Sequence, residues 1–301
     1  MSEANTYSHI SVLLNEVLEH LAIEPNKTYF DGTLGAAGHS KAILKKLNST
    51  GKLISFDQDP AVIARISKER EELQAKNWIL ENRNFQELWD YCKETNTKID
   101  GGILLDLGLS SIQLDDPERG FSFHADTSLD MRMDTKLELD AHDVINTFSE
   151  KEIADILYIY GEERKSRVIA KSILQNRPIN TCQELAEIIK TIYVKSSSRK
   201  KTFKTHPATK SFQALRIYVN RELEVLEKVL DFDFDYLETG ARIAIISFHS
   251  LEDRIVKNAL RNYKQEGKLK LITKKPLIAT DEELEVNARS RSAKLRVAEV
   301  L

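Results

Sequence analysis

The chain has 301 residues, 41% of them hydrophobic, with two cysteines and a formal net charge of -3, enough apolar content to bury one large core or two modest ones without covalent staples. Cys92 and Cys182 stand in no CxxC or metal-ligand spacing, which argues against a disulfide framework or a zinc site and for two reduced, partly buried thiols. The opening MSEANTYSHI has no basic or apolar leader region, and no later run approaches the ~18 apolar residues of a membrane span, so a soluble cytoplasmic protein is expected.

Along the first third, helix and strand signals alternate at short intervals, the pattern of a parallel sheet covered by helices. Val12, Leu13, Val17, Leu18 and Leu21 give an opening helix its apolar stripe. The spacing then predicts a strand at 28–31, a Gly-rich turn, a helix at about 38–47, a strand at 52–57 and a helix after Pro60. A short strand near 78–80, a helix near 85–92 and an apolar strand at 99–107 complete a half-sheet. Turn-rich, acid-rich sequence follows, then helices near 150–160, 162–175 and 182–193 without a clear strand between them. A long helix around 211–230 leads into a strand at 241–248 and a helix at 251–263, and 268–273 and 294–300 read as closing strands. The expected fold is α/β: a doubly wound domain in two sequence pieces, 1–116 and 211–301, separated by a helical insertion at 117–210.

In such a sheet the ligand crevice lies at the carboxyl ends of the strands, beside the point where strand order reverses. Three strand ends carry suggestive residues. The first, FDGTLGAAGHS from Phe30 to Ser40, runs through glycines into a helix, so the backbone can approach a ligand closely and the helix start presents N–H groups. Its GxxGxxG spacing departs from the dinucleotide GxGxxG, and without GK[ST] it is no P-loop. The second, FDQD, places Asp57 where a carboxylate accepts hydrogen bonds from ribose hydroxyls, while Asp59 before Pro60 reads as a helix cap. The third, LLDLGLSS, ends an apolar strand in Asp106, which needs a partner or a task if it is buried and is otherwise a solvated turn residue.

Taken in order, FDGTLGAAGHS, FDQDPAVI, DGGILLDLGLSSIQLDDPERGFSFHADTSLDMRMD, YGEERKSRVIAKSI, HPATKSFQALRIYVNRELE, ISFHSLEDRIVKNAL, TKKP and NARSRSAKLR resemble the successive motifs of the bacterial ribosomal RNA small-subunit methyltransferase H family, also called MraW. The resemblance runs from His9 to about Val297; RGFSF, LDMRMD and FHSLEDR are its most specific blocks. It implies S-adenosylmethionine-dependent methylation of the exocyclic N4 of a cytidine in the decoding region of 16S rRNA, on a methyltransferase-type Rossmann-like fold with an inserted helical substrate-recognition domain. By motif matching it places cofactor contacts on Ala37, Gly38, His39, Asp57, Phe85, Asp106 and Gln113. The implied partner is 16S rRNA within the small ribosomal subunit, with a homodimer as a candidate assembly, no membrane and no metal. Two departures stand out: Ala36 and Ala37 where the family carries a further glycine, and Ile112 where it carries proline.

For that reaction the enzyme's main task is positioning, which supplies on the order of 7 to 11 kcal/mol in favourable intramolecular models. A carboxylate accepting from the amine assists, and a base must remove a proton; Asp106 is the catalytic candidate. Asp130, Arg132 and Asp134 are alternative participants or members of a salt-bridged loop. No NPPY tetrapeptide occurs, and neither cysteine follows a proline as an attack on ring C6 would require. Phe121 and Phe123 are either a platform for a turned-out base or core residues. Lys195, Arg199, Lys200, Lys201, Lys204 and Lys210, with no acidic residue among them, form either a phosphate-contacting loop or a solvated surface. His249 either orients a substrate group or caps the following helix with Ser250. Two other classes compete: a nicotinamide-dependent oxidoreductase, and an RNA-binding factor without catalysis on a methyltransferase-like fold.

Overall fold

A computed structural model describes residues 10–123, 126–195, 203 and 205–301. It divides into two compact units, one made of the chain up to Ser111 together with Leu223–Leu301, the other of Ile112–Glu222.

The first unit is built on a seven-stranded sheet. Its strands are β1 (Thr28–Asp31), β2 (Lys52–Phe56), β3 (Trp78–Glu81), β4 (Gly102–Asp106), β5 (Arg242–Ser247), β6 (Leu269–Leu271) and β7 (Lys294–Val300), in the order β3-β2-β1-β4-β5-β7-β6. The five strands from β3 to β5 are parallel, and β7 runs antiparallel to both β5 and β6. The chain steps outward from β1 to β3, then returns to the other side of β1, so order reverses between β1 and β4. This is the expected doubly wound sheet of methyltransferase type.

Strands covered on both faces read as nearly continuous apolar runs, as in LISF, GILLD and RIAIIS. On one face Phe30, Phe56, Leu105 and Ile245 pack with Leu88, Tyr91, Val256 and Leu260 into a single core. Phe30, Phe56 and Tyr91 meet edge to face at centroid distances of 4.9 and 5.2 Å, a favoured aromatic geometry. The strand predicted at 99–107 is shorter than its apolar run because Gly101 and Gly102 sit where the backbone is crowded. A Cβ on Gly101 would lie 2.5 Å from the Tyr29 ring, and one on Gly102 would lie 2.4 Å from the Arg242 carbonyl oxygen. Ile99 keeps only an isolated bridge to Leu237.

The second unit is helical. Helices Ala141–Thr147, Glu150–Gly161, Ser166–Gln175, Cys182–Lys195 and Thr209–Asn220 enclose a core that includes Leu129, Val144, Ile153, Leu157, Ile169, Ile189 and Leu215. Two boundaries correct the sequence reading. The long helix predicted at 211–230 is two helices, Thr209–Asn220 and Glu222–Val229, broken where Arg221 adopts φ 51°. The second unit is also wider than the predicted 117–210, because Phe212, Ala214, Leu215 and Val219 of the first of those helices belong to its core. No helix among the described residues is long and apolar enough to cross a membrane.

Candidate active site at the strand ends

Where β1 ends, buried Asp31 organises the turn that follows. Its Oδ1 accepts from the Thr33 amide at 3.0 Å and the Thr33 hydroxyl at 3.3 Å, and its Oδ2 accepts from Ser40 Oγ at 2.6 Å. Ser40 Oγ lies 2.9 Å from Ser55 Oγ, which accepts from Trp78 Nε1, so one buried polar chain links β1, β2 and β3. Satisfied buried networks of this kind fix geometry. Thr33 Oγ1 also accepts the Asp106 amide at 2.7 Å, which ties the tip of β4 to the turn.

The glycines of the turn have separate tasks. A Cβ on Gly32 would come within 2.5 Å of Leu105 Cδ2 and 2.8 Å of Phe85 Cβ, so only glycine lets Phe85 close over the end of β1. Gly35 turns the chain at φ +48°. Ala37, at φ 63°, precedes helix Gly38–Leu44 and provides no side-chain cap, an uncommon left-handed conformation for a residue with a Cβ.

At the end of β2, Asp57 Oδ2 accepts the Gly35 amide and Oδ1 the Asp59 amide, both at 2.9 Å. A carboxylate has about four acceptor positions, so acceptor capacity remains for a ligand. Burial pushes its pKa up to about 6, against the lowering effect of those two amides. Asp59 accepts from Ala61 N at 2.9 Å and caps helix Pro60–Glu72, as its position before proline suggested. Phe85 begins a one-turn helix capped by Asn84 and leans, half-buried, on the sheet core.

At the end of β4, Asp106 Oδ2 lies 3.5 Å from His39 Nδ1, and Oδ1 is buried with no hydrogen-bond partner. Burial, with Asp31 and Glu252 adding like charge, raises its pKa well above the ordinary carboxylate value. His39 Nε2 stands 3.0 Å from the Val12 carbonyl oxygen. An orphaned buried acceptor beside a glycine-floored turn, with a second carboxylate of spare acceptor capacity on the other side of β1, suits a ligand that brings hydroxyl and ammonium donors.

Ala37, Gly38, His39, Asp57, Phe85 and Asp106 are thus gathered in the first unit, whereas Gln113 lies buried in the second, on helix Ser111–Asp115. The sequence reading missed Asp31, Thr33 and Ser40; the signal was present in a third strand-end aspartate, the one in FDG. His249 is the N-cap of helix Ser250–Gln265, its ring accepting from Glu252 N.

In the second unit Arg132 grips Asp130 through Nε and Nη2, both at 2.8 Å, and Arg119 holds the Arg132 and Met133 carbonyls. Partial burial pushes Asp130 up, but the Arg132 hydrogen bonds and charge outweigh it and hold the carboxyl below its usual range. Asp134 accepts from Lys136 N in an exposed turn. These three residues therefore form loop structure. Phe121 and Phe123 pack against the helical core, Phe123 edge-on to Phe212 and stacked on His206 at 4.5 Å. Of the basic stretch, Arg199, Lys200, Lys201 and Lys204 and the side chain of Lys195 lie outside the described residues; Lys210 donates to the Glu162 carbonyl at 3.2 Å.

The sequence model of the MraW methylase family matches residues 6–301. The chain is 44% identical to a protein of Clostridioides difficile named Ribosomal RNA small subunit methyltransferase H, with 97% of this chain and 99% of that one covered. It is 45% identical to a protein of the same name from Acidobacterium capsulatum, over 97% and 98% of the two chains. Among solved structures it is similar to a putative rRNA-methylase from Clostridium thermocellum, with a TM-score of 0.47, 11% identity and coverage of 97% and 100%. The match extends over nearly the whole sequence: this chain belongs to the MraW methylase family.

Proposed function

We propose that the protein is an S-adenosylmethionine-dependent ribosomal RNA methyltransferase acting on the exocyclic N4 of a cytidine in the decoding region of 16S rRNA, within the small ribosomal subunit. The observation that carries the reading is the near full-length likeness to relatives named Ribosomal RNA small subunit methyltransferase H. The carboxylates at the tips of β2 and β4 support it, because they stand beside the strand-order reversal where such folds bind ligands. When bound, S-adenosylmethionine supplies an electrophilic sulfonium methyl group. Asp57 accepts the ribose hydroxyls, the turn of Ala37, Gly38 and His39 approaches through its backbone, and Phe85 flanks the pocket. Asp106, whose buried Oδ1 has no hydrogen-bond partner, is assigned the proton that the amine gives up. The helical second unit is assigned recognition of the RNA.

The test is to incubate the purified protein and labelled S-adenosylmethionine with small subunits lacking this modification, then map the product by nuclease digestion and mass spectrometry. Label on an N4-methylated decoding-region cytidine is expected. Label on another atom or nucleoside overturns the N4 assignment, and binding of donor and RNA without transfer favours the non-catalytic alternative.

A further inference from the structure

We infer that the outward face of helix Ser250–Gln265 binds the phosphodiester backbone of the RNA, so that the first unit, and not the helical unit alone, holds the substrate. The inference rests on the methyltransferase reading above and adds to it a surface beside the reaction site.

The helix is divided by its own sequence. Ile255, Val256, Ala259, Leu260 and Tyr263 pack on the sheet core, and residues three and four apart share a face. Arg254, Lys257, Arg261 and Lys264 have that spacing and form one stripe pointing away from the core; Lys257 is half-buried and the others are exposed. Lys257, Arg261 and Lys264 have no carboxylate partner among the described residues. The two acids of the helix stand in its first turn and are both engaged. Buried Glu252 accepts the Phe248 and His249 amides, and Asp253 accepts from Arg296 Nε at 2.7 Å and Lys294 Nζ at 3.4 Å. From Arg254 to Gln265 there is no carboxylate at all.

Like charges three and four apart repel, and a helix face that serves only for solvation interleaves both signs. Helix Pro60–Glu72 of the same unit does so: Arg65 Nε lies 3.6 Å from Glu69 Oε1, and Glu69 also meets Lys41. A polyanion laid along the stripe relieves the repulsion.

The stripe starts beside the proposed reaction site. β5 pairs with β4 so that Ile246 lies level with Asp106, and the helix begins just beyond, at Ser250. From Arg254 to Lys264 the helix rises about 15 Å, long enough to follow a strand over several phosphates. Ammonium and guanidinium groups on an open surface form charge-assisted hydrogen bonds to phosphate oxygens without reading bases. The whole chain has a net charge of -3, so the attraction is local to this face. A membrane surface calls for apolar residues beside the cations, whereas Asn258, Asn262 and Gln265 fill the rest of the exposed side.

The test compares two triple variants in binding to small ribosomal subunits at constant magnesium, with monovalent salt varied from about 50 to 200 mM. Lys257→Gln/Arg261→Gln/Lys264→Gln removes three charges from the stripe. Lys45→Gln/Lys46→Gln/Lys52→Gln removes three exposed charges near the start of β2, at the opposite end of the parallel strands. The first variant is expected to bind about 10- to 100-fold more weakly at 150 mM salt, with the slope of log K against log salt reduced by about 2, as three lost phosphate contacts require. Its S-adenosylmethionine affinity by calorimetry should be unchanged, and the second variant should bind subunits as the wild type does. Equal losses in the two variants, no loss in the first, or a loss with the salt slope unchanged overturns the inference. A wild type that neither binds nor methylates subunits overturns the parent reading; a wild type that methylates them beside a stripe variant that binds as tightly overturns the stripe alone. Cross-linking reads the partner's chemistry with the stripe intact: Asn258→Cys carrying a photo-cross-linker is expected to label 16S rRNA. Labelling of ribosomal proteins alone assigns the face to a protein and overturns the inference.

Discussion

The carboxylate of Asp57 accepts the Gly35 amide at 2.9 Å, fastening the tip of β2 to the loop that leaves β1. A single side chain therefore shapes the loop and offers acceptors to a ligand. Asp57→Ala is expected to weaken S-adenosylmethionine binding by about 10- to 100-fold, the range for hydrogen bonds to a charged group, with the far-ultraviolet circular dichroism unchanged. Unaltered affinity by titration calorimetry would remove Asp57 from the ribose.

The pH dependence of that residue has a definite sign. Its pKa is raised in the folded protein from 3.8 to about 6, so the folded state holds the proton more tightly than the unfolded chain. The stabilisation this confers is full below about pH 4 and is lost as pH rises to about 6, by at most about 3 kcal/mol. Relative to wild type, ligand-free Asp57→Asn should therefore gain stability between pH 4 and pH 6.5. A difference in Tm that stays constant across that window would contradict the raised pKa. Cofactor affinity has the opposite trend, falling as pH drops through about 6, because the ionised carboxylate is the better acceptor.

Gly32→Ala should destabilise the first unit by about 1 to 3 kcal/mol, since the added methyl group meets Leu105, Phe85 and Phe30 at 2.5, 2.8 and 3.0 Å. Displaced Phe85 should also lower cofactor affinity. Denaturant melts and calorimetry read the two effects separately, and a melt matching wild type would show that the end of β1 has room the packing does not reveal.

The alanines of the turn should respond in opposite directions. Ala37→Gly relieves a left-handed backbone at φ 63° and is expected to stabilise by about 0.5 to 1 kcal/mol. Ala36, whose φ is not positive, should lose a similar amount on replacement by glycine, through the greater freedom of the unfolded chain. Equal shifts in Tm for the two variants would refute the conformational argument.

In the second unit, buried Asn220 accepts the Met133 amide at 2.6 Å and donates to the Met131 and Arg216 carbonyls at 2.7 and 2.8 Å. Asn220→Ala removes all three of these hydrogen bonds and should cost about 2 to 4 kcal/mol. Asn220→Asp should not rescue it, because a carboxylate has no donor for either carbonyl. Full stability in the aspartate variant would argue that the two carbonyls need no partner.

Much of the sheet was legible because its strands are short apolar runs ended by aspartate or glycine; β1 and β7 begin and end where the spacing places them. What the sequence concealed is backbone geometry that depends on distant partners. Nothing in RIYVNRELE marks Arg221 as the residue that turns left-handed, since the apolar period continues through it. Helix Ala141–Thr147 hid in acid-rich sequence, although Asp140 caps it by accepting the Asp143 amide at 2.8 Å. At the site, the sequence marks Asp57 and Asp106 as strand-end carboxylates, but their partners, Gly35 in the turn after β1 and His39 in the helix that follows it, become visible only once the strands are ordered.

The order of the strands in the chain has a consequence during synthesis. β4 ends at Asp106, yet its neighbour β5 begins at Arg242, beyond the whole second unit. At about 5 to 20 residues per second, β5 follows β4 from the ribosome after roughly 7 to 30 s. During that interval the helical unit, contiguous in sequence, is synthesised and completed at Glu222, while β4 carries an unpaired row of backbone groups along its open side. A nascent chain paused within this interval therefore exposes an adhesive strand, and β5, the next strand to emerge, is the one that seals it.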